Sequence, residues 1–284
     1  MFVRRYNCLQ HGTKLLRQLA TVSSEGLDVE THNDGKVLVL SLRNEGRMNC
    51  MTENIAMKFK TVLKNLDKNY PSALCLVLTG HGKSFAAGAD LNWLDERSET
   101  FPKDNVKIME NYYNYFTDLT SLPIPTIAAI NGPAIGAGFC ISMFCDIRIT
   151  SKDSKLGANF VKLGISPGMG GTFTIPLKIS YQVAWELLLT GKIISGEEAK
   201  EKGIVLSCVE SRDLVLPEAL SLASAIVSGS PLAIKETTSL LRYSSQQPLK
   251  EQLIREAEAQ GRCFAGNDIK VGLQAIKNKE IPKF

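Results

Sequence analysis

The amino-acid sequence predicts an α/β protein whose sheet-forming half gives way to a helical C-terminal part. Three observations carry this. Short apolar, strand-like runs alternate with helical periodicity as far as about residue 150. From Gly170 onward the pattern is mainly helical, interrupted at Ile204–Val209. No Pro- or Ser-rich linker and no internal repeat divides the 284 residues. At 44% hydrophobic and 22% charged, the composition excludes a disordered chain or a low-complexity fibre. The longest nearly apolar stretch, Ala134–Cys145, falls short of the roughly 20 residues of a membrane-spanning helix.

The elements follow in order. Leu27–His32 and Lys36–Leu42 flank Asn33-Asp34-Gly35, a hairpin turn signal. Thr52–Lys68 carries Ile55, Phe59, Val62, Leu63 and Leu66 at the spacing of one helix face. Ala73–Thr79 reads as a buried strand. Asn105–Thr120 reads as a helix, with Ile108, Tyr112, Tyr115, Phe116 and Leu119 along one side. Pro125–Ile130 is a strand, Gly136–Phe144 a short helix buried on all sides, and Ile147–Thr150 another strand.

Charge divides the chain unevenly. Lysine and arginine number 33 against 29 acids. Residues 1–24 hold Arg4, Arg5, Lys14 and Arg17 and no carboxylate, so the remainder balances and gives no footprint for nucleic acid. An acid-free, Arg-bearing, Ser/Thr-containing leader reads as a mitochondrial transit peptide, cleaved near Arg17–Ala20, and places the protein in the matrix; the alternative is a basic tail with no address. The domain reading is therefore leader 1–24, core 25–215 and helical region 216–284. The seven cysteines contain no C-x-x-C pair and sit mostly in apolar runs, the pattern of free thiols in a reducing compartment. With only three dispersed histidines, no metal site is expected.

Two glycine loops carry the chemistry. Gly80-His-Gly-Lys-Ser-Phe-Ala-Ala-Gly-Ala-Asp-Leu91 follows a buried strand, and Gly88 permits a sharp turn that frees the next peptide N–H groups. Ile130-Asn-Gly-Pro-Ala-Ile-Gly-Ala-Gly138 also follows a strand and opens the short buried helix. The first N–H groups of a helix lack intrahelical acceptors, and the helix dipole favours negative charge there. Two such loops aimed at one oxygen form an oxyanion hole; each alone is equally a tight turn.

On these residues the sequence resembles the crotonase superfamily, the enoyl-CoA hydratase/isomerase group. The resemblance runs from about Leu27 to Phe284. It rests on Met48-Asn-Cys-Met51, Ser84-Phe-Ala-Ala-Gly-Ala-Asp-Leu91, Ala129-Ile-Asn-Gly-Pro-Ala-Ile-Gly-Ala-Gly138, Cys145-Asp-Ile-Arg148, Pro167-Gly-Met-Gly-Gly171 and Leu189-Thr-Gly-Lys192. It implies a crotonase-like spiral of ββα units and a helical C-terminal trimerisation region. It also implies a homotrimer or homohexamer that binds acyl-CoA, with no cofactor beyond the coenzyme A of the substrate. The oxyanion donors it implies are the N–H groups of Ala89 and Ala137. It places Ala87 and the segment Ala89, Asp90, Leu91 and Asn92 along the thioester and pantetheine. Arg47, Asn49 and Cys50 fall near the CoA nucleotide, with Arg47 either a phosphate contact or a solvated side chain.

The acid/base positions depart from the pattern. The two glutamates of the family hydratases fall here on Cys140 and Phe160, and carboxylates that other members place further along fall on Pro167 and Gly168. Cys140 is either a thiolate base favoured by nearby helix N–H groups or a small buried residue. Phe160 narrows the acyl pocket. Asp90, Asp95 and Glu96 lie near the first loop and are either within reach of a substrate or surface and capping charges; Asp146 ties down a strand start. An oxyanion hole without a base still stabilises an enolate formed by loss of CO₂. Decarboxylation of a malonyl-type CoA, or acyl-CoA binding without turnover, is therefore expected over ordinary hydration.

Two other classes fail on the same string. The turn Gly132-x-x-x-Gly136-x-Gly138 lies too late for a short-chain dehydrogenase, and no tyrosine has lysine four residues on. Gly164-Ile-Ser-Pro-Gly168 has the serine-hydrolase spacing, but Pro167 lacks the N–H that the elbow requires and no histidine follows Ser166.

Overall fold

The structure, a computed structural model, describes residues 26–284. The leader 1–24 therefore lies outside the described residues. The chain opens with an antiparallel hairpin of β1 (Leu27–His32) and β2 (Val37–Leu42). Asn33, Asp34 and Gly35 all take positive φ in its turn, which Asn, Asp and Gly tolerate best. Helix α1 (Glu53–Lys64) is capped by the Thr52 side chain and followed by the single turn α2 (Leu66–Asn69). Strand β3 (Cys75–Gly80) leads through the first glycine loop to α3 (Leu91–Ser98) and α4 (Pro102–Asn114). Strands β4 (Thr126–Ile130) and β5 (Ala134–Ile135) precede α5 (Ala137–Phe144). Next come β6 (Ile147–Ser151), β7 (Lys155–Gly157), α6 (Gly171–Lys178), α7 (Tyr181–Thr190), β8 (Ile194–Ser195), α8 (Gly196–Glu201) and β9 (Ser207–Val209). Helices α9 (Val215–Val227), α10 (Pro231–Arg242), α11 (Gln246–Phe264) and α12 (Asp268–Asn278) complete the chain.

The main sheet has the order β1-β2-β3-β4-β6-β9, parallel from β2 onward. Each crossover advances one way across the sheet. A small second sheet, β5-β7-β8, stands beside it. Because side chains alternate across a strand, the central strands split their apolar runs between two cores. Leu38, Leu40, Leu76, Leu78, Ala128 and Ile130 face one core, shared with α1, α4 and α5. Val37, Val39, Cys75, Val77, Ile127, Ala129 and Ile149 face the other. There α9 lays Val215, Ala219, Ala223 and Val227 on the sheet at four-residue spacing, the two alanines allowing close approach. Helix α11 packs along α4, and α12 reaches α3. No single helix among the described residues is long and apolar enough to cross a membrane.

The sequence-level elements differ in four places, the first being the helix expected over Thr52–Lys68, which breaks at Asn65 into α1 and α2. The helix expected over Asn105–Thr120 begins earlier, at Pro102, and ends at Asn114; a 3₁₀ segment, Thr117–Ser121, replaces its last turn. Pro102 sits where a proline starts a helix well. Helix α3 and the second sheet were not anticipated. The strands β5 and β8 have two residues each, too short for periodicity to register.

Candidate active site

The two glycine loops are zipped together at the carboxyl ends of β3 and β4. The Phe85 and Ala86 amides both donate to the Pro133 carbonyl at 3.1 and 3.0 Å, and the Ile135 amide donates to the Ala86 carbonyl at 3.0 Å. Asn131 clamps the base of the first loop. Its Nδ2 donates to the Gly80 and Gly82 carbonyls at 2.7 and 3.0 Å, and its Oδ1 accepts from the Gly80 amide at 3.2 Å. Gly88 holds φ +92° and Gly136 φ +54° with ψ −120°, conformations open to glycine. A Cβ at Gly88 would stand 3.4 Å from the Ala137 nitrogen, so the two turns bring Ala89 and Ala137 side by side. Among the described residues neither alanine amide donates to any protein acceptor. Ala137 is the first residue of α5, whose positive dipole end is directed there. At the other end of α5, the Arg148 guanidinium and the Lys178 ammonium donate to the Cys145 carbonyl at 2.8 and 2.7 Å and oppose the negative end.

A cavity of about 520 Å³ opens over these amides. Arg47, Cys50, Ala87, Ala89, Asp90, Leu91, Asn92, Ala137 and Phe160 all line it. Its far wall is apolar or aromatic, with Trp93, Leu94, Met109, Tyr112, Ile165 and Ile276. Among the described residues, Asp90 is the only carboxylate in the lining. Its Oδ1 caps α3 by accepting from the Asn92 and Trp93 amides at 2.9 and 3.3 Å, and its Oδ2 accepts from Arg47 at 2.7 Å. Burial acts to raise its pKa, but these donors outweigh it and hold the carboxyl below the usual range. Asp90 is thus an ionised capping group, and Arg47 is an ion-paired residue at the cavity wall.

Two expected residues are placed elsewhere. Asn49 does not line the cavity. It is fully buried, donating to the His81 and Ser84 carbonyls at 2.8 and 2.7 Å and accepting from the Asn44 amide at 2.8 Å. It shapes the loop behind the site, because the left-handed turn at Met48 and Asn49 points its side chain inward. Cys140 is also fully buried and off the lining. Burial, with Glu256 nearby, pushes its thiol well above the ordinary value, which removes the thiolate-base reading. Of the outlying acids, Asp95 pairs with Lys277 at 3.0 Å and Glu96 with Arg97 at 3.4 Å, and neither lines the cavity. Asp146 accepts from the Thr126 amide at 2.7 Å and so anchors the start of β4. Among the described residues no group of three or more His, Cys, Asp or Glu stands ready to hold a metal ion.

Sequence reasoning missed Tyr113 and Gln260. Both line the cavity, and the Tyr113 hydroxyl donates to Gln260 Oε1 at 2.7 Å. They lie 147 positions apart, on α4 and α11, so no local pattern joins them. Glu256, one turn before Gln260, is buried against the start of α6 and accepts from the Gly170 and Thr172 amides at 2.6 and 2.8 Å. Burial raises its pKa from 4.5 to about 7 despite those donors. A carboxyl raised in the folded state favours folding while protonated, so its contribution declines as pH rises from 4.5 to about 7. We expect Glu256→Gln to flatten this part of the stability–pH curve. Urea titrations at pH 5 and pH 8 measure the difference, up to about 3 kcal/mol for a shift of this size.

The fold and the site define an α/β protein with two neighbouring backbone amides, without protein acceptors among the described residues, facing an open, largely apolar cavity. The profile of the enoyl-CoA hydratase/isomerase family matches residues 32–284. The chain is 34% identical over 259 residues to the short-chain-enoyl-CoA hydratase of Clostridium acetobutylicum, covering 90% of this chain and 97% of that one. It is 31% identical to the crotonyl-CoA hydratase of Syntrophomonas wolfei, with 88% and 94% coverage. The crystal structure of enoyl-CoA hydratase from Bacillus halodurans superposes with a TM-score of 0.80 at 26% identity, covering 88% of this chain and all of that one. The chain belongs to the enoyl-CoA hydratase/isomerase family and has the crotonase fold.

Proposed function

We propose that this protein binds an acyl-CoA thioester and stabilises its enolate between the Ala89 and Ala137 amides. The reaction that best matches the lining is decarboxylation of a malonyl-type CoA. One observation carries the reading: among the described residues, two amides without protein acceptors open on a cavity whose single carboxylate is already engaged by Arg47 and the start of α3. Enoyl-CoA hydration needs a carboxylate to take a proton from water and an acid to protonate carbon. Loss of CO₂ supplies the enolate without any base, so forming it requires only the hole.

Hydration is the activity named for the relatives at about 30% identity, and it is the alternative the experiment must address. Crotonyl-CoA and malonyl-, methylmalonyl- and ethylmalonyl-CoA are offered separately to the purified protein, with products read by mass spectrometry. We expect decarboxylation to exceed hydration, with hydration below the usual enzymatic range of about 1–10³ s⁻¹. Efficient crotonyl-CoA hydration without decarboxylation overturns the reading. Binding without any turnover identifies a non-catalytic acyl-CoA binder.

Two wider features belong to the same proposal. The acid-free leader supports import into the mitochondrial matrix. Helix α10 and its end leave Leu232, Leu240, Leu241 and Tyr243 largely exposed, which supports a homotrimer or a pair of trimers.

A further inference from the structure

The acid that completes such a reaction has to come from somewhere other than the family positions, which carry Cys140, Phe160, Pro167 and Gly168. The space at one of them is filled. A Cβ at Gly168 would lie 2.4 Å from the Tyr113 hydroxyl oxygen and 2.9 Å from Gln260 Nε2. A hydroxyl delivered by α4 and a carboxamide delivered by α11 thus stand where a longer side chain at 168 would begin. Both line the cavity that also contains the Ala89 and Ala137 amides.

We propose that the Tyr113 hydroxyl, positioned by Gln260, is the acid that delivers a proton to the α-carbon of the thioester enolate. This rests on the enolate reading above and adds the identity of the proton donor. Gln260 is itself fixed, because its Nε2 donates to the Ser166 carbonyl at 2.8 Å and its Oε1 accepts from Tyr113 at 2.7 Å. Rotation of the hydroxyl about its C–O bond redirects the proton to the substrate without moving the ring. Burial, with Glu256 nearby, keeps the phenol well above its ordinary pKa and therefore in the proton-bearing form at neutral pH. The neighbouring Tyr112 is less suited, since its hydroxyl is committed to the Met51 carbonyl at 2.5 Å.

The bond from the α-carbon to the carboxylate breaks, CO₂ leaves, and the electron pair enters the enolate. That pair forms a C–H bond with the Tyr113 proton. The O–H bond breaks and its pair stays on the phenolate, which solvent water reprotonates. One proton is consumed for each CO₂ released.

The test uses the full chain with methylmalonyl-CoA in D₂O, where the product α-carbon becomes a CHD centre of readable configuration. Butyryl-CoA affinity is measured in parallel as the check on fold and binding. Wild type is expected to give one configuration. Tyr113→Phe is expected to lose about 10²–10⁴-fold in kcat, to scramble the configuration of residual product, and to keep butyryl-CoA affinity. Gln260→Leu is expected to lower kcat with KM retained and to scramble configuration in part. A Tyr113→Phe protein with wild-type rate and configuration overturns the proposal and leaves the enolate reading standing. Loss of butyryl-CoA affinity in step with rate also overturns it, because the side chain would then serve binding or folding. A wild-type protein that binds butyryl-CoA but decarboxylates no malonyl thioester removes the enolate reading, and the proposal falls with it.

Discussion

Ala137→Pro is expected to lower kcat/KM by about 10²–10³-fold on whichever acyl-CoA the protein turns over, the usual cost of one oxyanion donor, while the fold survives. The substitution is unusually clean here. Ala137 is the first residue of α5, where proline is stereochemically at home and where the lost N–H served no helix bond. The preceding residue is Gly136, which has no Cβ to meet the proline ring. The ring does place Cδ where the amide hydrogen stood, so thioester affinity is expected to fall with rate. Ala137→Ser is the companion: it keeps the N–H and is expected to retain most activity. Steady-state kinetics with a thermal melt separate the outcomes. A proline variant that melts like wild type and retains full activity would remove Ala137 from the hole.

Why the two glycine loops were legible in the sequence and their surroundings were not has a physical basis. Glycines that follow strands and open a helix leave a local signature that picked out the two loops; within them it was the family resemblance that pointed to Ala89 and Ala137, which the structure places side by side. The buried strands were readable because sheet strands covered on both faces are nearly continuous apolar runs, as in Val37–Leu40 and Cys75–Leu78. Asn49 was misplaced because proximity to the site in sequence does not say which way a side chain points, and a left-handed turn sends it inward. Cys140 sits one helical turn beyond Ala137, yet α5 is buried all round and the thiol faces α6 rather than the cavity. Tyr113 and Gln260 meet only because α4 and α11 pack side by side, a tertiary event that neither helix announces.

Helix α10 is tied to the sheet by a buried ion pair, and Arg242→Met is expected to destabilise the protein by about 3–5 kcal/mol. The Arg242 guanidinium donates Nε to Asp146 Oδ1 at 2.9 Å and Nη2 to Oδ2, and also donates to the Leu122 carbonyl and, at 3.2 Å, to the Ile124 carbonyl. Methionine fills similar volume but leaves a carboxylate and two carbonyls without this donor. Most of the cost is that orphaned charge, so the double variant Asp146→Asn/Arg242→Met is expected to be more stable than Arg242→Met alone. The pH dependence supplies a second check. Burial acts to raise the pKa of Asp146, but Arg242 and Thr126 outweigh it and hold the carboxyl below its ordinary 3.8. A depressed carboxylate stabilises the fold above its unfolded pKa and loses that stabilisation as pH falls through the folded value. The gap between wild type and Arg242→Met in urea titrations should therefore be full at neutral pH and narrow in acid below about pH 4. A gap that is small at pH 7, or that persists unchanged in acid, would place the stability of this junction in packing rather than in the ion pair.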